Sequence, residues 1–228
     1  MLHKDSSAKK LFILVALLWM VLSQCGASTP SKKPVQSKKL DKSYFPESMI
    51  DDNNENDLDR FTDEWYSEVL SRLDEPILYT ITDKNIEIYR LTLIPSFDPA
   101  ISIRVYQSRK DRSIIVKKLD SVVESSSDII YHDKHGKVII FPPKPVSKLK
   151  YKAKRQLIKK EWQNILKHVK KSSFWHLKTS VWGGLWDGEQ WIMEGVRNGK
   201  YHVVDRTSPD DGSYLDFCGY LLTISGVD

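Results

Sequence analysis

The chain has 228 residues, 40% hydrophobic and 11% aromatic, the composition of one globular domain with appendages, and it contains no internal repeat. Its formal charge of +5 falls to +3 once residues 1–25, with Lys4, Lys9, Lys10 and Asp5, are set aside. So small an excess is no argument by itself for a polyanionic partner; where the lysines sit matters more.

The N-terminus reads as an export signal. Lys4, Lys9 and Lys10 precede twelve apolar residues, Leu11 to Leu22, and small residues follow. That run is shorter than the roughly 20 residues a membrane-spanning helix needs. Leu22-Ser23-Gln24-Cys25 resembles a bacterial lipoprotein signal with Cys25 as the lipidated residue, Gln24 departing from the small residue such a signal carries. Cleavage after Ala27 and retention as an uncleaved anchor are the other readings. If Cys25 is removed or acylated, Cys218 is alone and is expected to be a small buried hydrophobe.

Residues 26–56 are rich in Ser, Lys, Pro, Asp and Asn and are expected to form a disordered tether, leaving 57–228 as a single domain. Leu58, Phe61, Trp65, Val69 and Leu73 recur at helical spacing, which predicts a helix over 56–73. A β-meander follows, with strands expected at 77–82, 86–94, 101–107, 113–119 and 137–141. Ser147 is positioned to cap a second helix running to Lys171, with lysines on several faces. Residues 214–224 suit either a strand or a helix. The fold class expected is α+β: an antiparallel meander packed with two amphipathic helices, plus a C-terminal β-hairpin.

The hairpin spans residues 187–206, turning at Asn198-Gly199, the dipeptide most favoured in two-residue turns. It gathers Glu194, His202, Asp205 and Arg206, residue types from which active sites are made. Regular register puts Glu194 and Asp205 on one face and His202 on the other, so an acid–base dyad with His202 is not expected. Glu194 and Asp205 remain as candidates for a carboxylate-dependent hydrolase. Arg206 falls opposite Trp191, where a cation–π contact would contribute about 0.5–2 kcal/mol. His132 and His135 flank Asp133 in a polar turn, and no zinc-ligand spacing, nucleotide-binding loop or nucleophile elbow is present, so neither metal nor cofactor is expected.

Two interaction surfaces stand out. Trp182, Trp186 and Trp191 surround Gly183-Gly184 and are expected to form an aromatic ligand surface. The basic helix 147–171 suits an anionic membrane surface; export argues against nucleic acid, and the acidic helix 56–73 could instead neutralise it.

Residues 86–210 resemble a family of uncharacterised exported bacterial proteins. The likeness rests on Tyr89-Arg90, Ser96 to Pro99, Ile103 to Val105, Trp162, Phe174-Trp175 and the block from Asp187 through Tyr201 to Pro209, with Thr207 where a Trp is expected. The resemblance implies a location in the bacterial cell envelope, lipid-anchored or periplasmic or secreted, and carries no established activity and no catalytic residue. The expected role is a tethered, non-enzymatic domain with an envelope partner.

Overall fold

The computed structural model describes residues 42–51, 53, 54, 56–123, 130–132, 138–140, 146–181, 188–210 and 212–227. Residues 1–41, with Cys25 and most of the expected signal and tether, and His135, Trp182 and Trp186 lie outside the described residues.

Chain order is α1 (Arg60–Arg72), β1 (Glu87–Ile94), β2 (Ile101–Gln107), β3 (Arg112–Leu119), β4 (Ile130–His132) and β5 (Val138–Ile140). Then come β6 (Leu149–Gln156), α2 (Lys159–Lys171), β7 (Ser180–Val181), β8 (Gln190–Arg197), β9 (Lys200–Thr207) and α3 (Gly212–Ser225). Seven strands form one sheet in the order β6-β3-β2-β1-β8-β9-β7, antiparallel throughout except for the parallel β7–β9 pair. Strands β4 and β5 pair only with each other. The class is α+β. The hairpin is not an appendage to the meander, because β8 pairs with β1 along its whole length and completes the same sheet.

Alternation divides the side chains of this sheet between two cores. Tyr89, Leu91, Val105, Met193 and Val204 meet Trp162, Ile165 and Val169 of α2 and Phe217 and Leu221 of α3. On the other face Ile94, Leu119, Ile192 and Val203 meet Tyr66, Val69 and Leu70 of α1. No helix among the described residues is long and apolar enough to cross a membrane.

Four elements differ from the sequence expectation. The packed domain starts upstream of residue 57: Phe45 and Ile50 are buried beside α1, and Ser43 and Tyr44 bond Asp63 and Ser67. The few apolar residues in this polar stretch suffice to dock it. Leu58, Val69 and Leu73 of the expected stripe are buried together with Tyr66 and Leu70, whereas Phe61 is 69% exposed. Leu78–Thr80 is a 3-10 turn instead of a strand, with Leu78 buried against Ile88 and Val196.

The basic helix 147–171 is two elements. Lys150, Lys152 and Lys154 alternate with Tyr151 and Ala153, a period of two, and this stretch pairs with β3 as the edge strand β6. Lysines suit such an edge because they discourage further strand pairing. Ser147 bonds the Val122 carbonyl instead of capping a helix; α2 starts twelve residues later, its first turn held by Glu161 accepting from the Ile158 N–H at 2.9 Å.

At the hairpin tip Asn198 and Gly199 have φ of 55° and 71°, both left-handed, as a type I′ turn requires. Gly195 has a different role: a Cβ there would stand 2.6 Å from the ring of buried Phe174. Gly195→Ala is expected to lower stability by about 1–3 kcal/mol through overpacking, read as a lower urea midpoint with unchanged m.

Candidate functional site

The hairpin register pairs Arg197 with Lys200, Glu194 with Val203, Ile192 with Asp205 and Trp191 with Arg206, as the turn dictates. Glu194 is therefore directed to the α1 side of the sheet. There β8, β1 and β2 align Glu194, Arg90 and Arg104 in one row. Arg90 approaches Oε2 of Glu194 with Nε at 2.7 Å and a terminal nitrogen at 2.5 Å, and the Tyr201 hydroxyl donates to Oε1 at 2.9 Å.

A second carboxylate closes the row from above. Glu75, just past the end of α1, accepts from Arg104 Nε at 2.8 Å and lies 3.3 Å from Arg90 and 3.2 Å from Lys117 Nζ. Arg90 also donates to the Pro76 carbonyl at 2.7 Å, and Lys117 reaches the Asp74 carbonyl. The side chains of Arg90, Glu75 and Glu194 have no exposure.

The electrostatics fit a closed cluster. Burial works to raise Glu75, but Arg90, Arg104 and Lys117 together outweigh it and hold the carboxyl below its ordinary value. Burial lifts Glu194 above its ordinary value despite Arg90. Burial would lower Arg90, yet Glu194 and Glu75 keep it more firmly protonated than usual. Burial and the Glu194 charge keep Tyr201 a neutral donor. Every acceptor is opposite a cation or a hydroxyl, so the geometry clamps strands together and presents nothing to a substrate.

Asp205 is on the same face but in separate company. Its Oδ2 accepts from the Tyr66 hydroxyl at 3.1 Å, while its buried Oδ1 has no partner. Burial, with a contribution from Asp59, pushes this carboxyl up to about 7 against the pull of Tyr66 and Arg206. Glu194 and Asp205 thus satisfy different partners and share no hydrogen bond.

Arg206 does not use Trp191. Its guanidinium lies 5.7 Å from the Tyr214 ring centroid and donates to the carbonyls of Lys178, Thr179 and Asp205. Those main-chain acceptors attract it more strongly than an indole face, and they fasten the approach to β7 onto β9. Trp191 is half-buried against the α2–α3 core and donates its indole N–H to Glu189 at 3.1 Å.

His202 is half-buried on the opposite face, edge-on to Phe174 at 5.2 Å, with burial lowering its pKa. His168 stacks on Tyr220 at 4.7 Å. Cys218 is buried, its thiol pushed up to about 12 by burial, which leaves no thiolate for nucleophilic work. No group of three metal-ligating side chains occurs among the described residues. A polar hollow of about 200 Å³ at the β2–β3 turn is lined by Ser108, Arg109, Asp111, Arg112 and Gln156, and by none of the residues above.

Sequence reasoning passed over Glu75 and Lys117. The available signal was Arg90, a charge in a strand apolar on both faces, which requires a buried partner.

Two outcomes follow from these charges. Glu194→Leu leaves Arg90 without its main partner and should cost about 3–5 kcal/mol in urea unfolding, part of it recovered in the Arg90→Met/Glu194→Leu double variant. Asp205 titrates near 7 in the folded chain against 3.8 ordinarily, so the folded state alone keeps the proton between those values. Stability should therefore fall as pH rises from about 4 to about 7, by at most about 4 kcal/mol, and level off above. Asp205→Asn should flatten that slope, most of all toward pH 7, in melting temperatures measured across the range.

Among known proteins, no family model matches the chain, and no curated protein matches it.

Proposed function

We propose that this is an exported bacterial envelope protein whose folded domain is a non-enzymatic binding module, held by its N-terminal segment. The observation that carries the non-enzymatic part is Glu194: both carboxylate oxygens are bonded, by Arg90 and Tyr201, and the side chain has no exposure. A carboxylate with both oxygens bonded and no exposure is closed to a substrate, which removes the leading catalytic candidate. Export is supported by the basic start, the apolar run from Leu11 to Leu22 and the small-residue exit around Cys25.

A second reading, a carboxylate-dependent hydrolase, has one point in its favour. Asp205 is pushed up to about 7 and carries a free oxygen, a combination suited to acid–base work. Glu194, bonded through both oxygens to Arg90 and Tyr201, is not available as its partner.

Mass spectrometry of the mature N-terminus tests the location. A chain beginning at an acylated Cys25, or at Ser28, is the expected result, whereas an intact chain starting at Met1 in the cytosolic fraction would sink the reading.

A further inference from the structure

We propose that the outer face of α2 docks on an anionic phospholipid bilayer. Helix α2 buries Trp162, Ile165 and Val169 and turns Lys159, Lys160, Lys167, Lys170 and Lys171 to solvent. At 100° per residue these five lysines fall within about 120° of arc, along a helix about 20 Å long. The helix therefore presents one basic stripe, where the sequence had suggested lysines on many faces.

Neutralisation within the molecule stops short of this stripe. Lys171 is paired with Asp216 at 2.6 Å, and Glu161 is taken by Arg155 at 2.8 Å. No ion pair forms on Lys159, Lys160, Lys167 or Lys170 among the described residues. The acids that could have compensated, Asp59, Asp63, Glu64 and Glu68 of α1 and its cap, are on the other side of the sheet. Helices about 10 Å across on both faces of a sheet hold their outer surfaces roughly 20 Å or more apart. Physiological salt screens charge beyond about 8 Å, so the two faces do not cancel.

A bilayer suits this face better than a compact acidic ligand. Lysine is a solvated point charge that fits a field of headgroups, whereas arginine forks are the usual means of gripping one carboxylate or phosphate. The inference rests on the envelope location proposed above, since that is what brings a bilayer within reach.

The test measures partitioning of the full chain onto phosphatidylcholine vesicles with and without phosphatidylglycerol. An apolar or acylated N-terminus would bind both alike, so the excess on anionic vesicles is the readout. Each lysine should contribute about five-fold to that excess. The Lys159→Gln/Lys160→Gln/Lys167→Gln/Lys170→Gln variant should lose more than about 100-fold of it, and raising salt from about 0.05 to about 0.5 M should erase it in the wild type. Lys150→Gln/Lys152→Gln/Lys154→Gln, on the edge strand, should retain it. An excess that survives the α2 substitutions, or is lost equally in the β6 variant, would overturn the proposal. Retained vesicle preference together with an unprocessed N-terminus would instead remove the envelope reading and leave the affinity of this face standing.

Discussion

A guanidinium and a carboxylate cut off from water must face each other, and Arg90 and Glu194 do so at the centre of the sheet. Each ion gave up several kcal/mol of hydration, recovered only with good geometry and further hydrogen bonds. Tyr201, Glu75 and the Pro76 carbonyl supply those bonds. The pair therefore dictates much around it: which residue of β8 faces which of β1, and where the chain runs after α1. A slip of one residue would turn Glu194 into the apolar core beside Tyr89 and Phe174. Charge here secures register, which a row of interchangeable aliphatic side chains would specify less sharply.

The hairpin was legible because its instructions are local. Two residues with left-handed φ set the turn, and alternation places every side chain from there. Strand β6 was missed for a different reason: its lysine content masked a period of two, and only its pairing with β3 shows it to be an edge. Glu75 was invisible in principle, because Arg90 and Arg104 are 15 and 29 residues away in the chain. Trp191 does lie opposite Arg206, but the guanidinium prefers carbonyls on a parallel neighbour that no periodicity announces. Local rules thus described the candidate site's faces, while its chemistry was set by distant partners.

Those partners change what the conspicuous residues mean. Glu194, His202, Asp205 and Arg206 look like an active site in the sequence, and the fold assigns each a separate environment. Glu194 is neutralised, His202 is packed among aromatics, Arg206 ties down main chain, and Asp205 alone keeps an unbonded oxygen. The exposed charge is arranged differently again, with the sheet standing between the acids of α1 and the lysines of α2.

The strand order also has a bearing on the birth of the chain. Strand β1 is buried along nearly its whole length between β2 and β8. During synthesis β2 follows almost at once, but β8 comes about a hundred residues later, the Arg90–Glu194 separation being 104. Throughout that interval β1 is an open edge with apolar side chains on both faces and an arginine still lacking Glu194 in its middle, the kind of surface that invites wrong partners. The sheet cannot close from its N-terminal half, so this domain matures only once nearly all of it has been made.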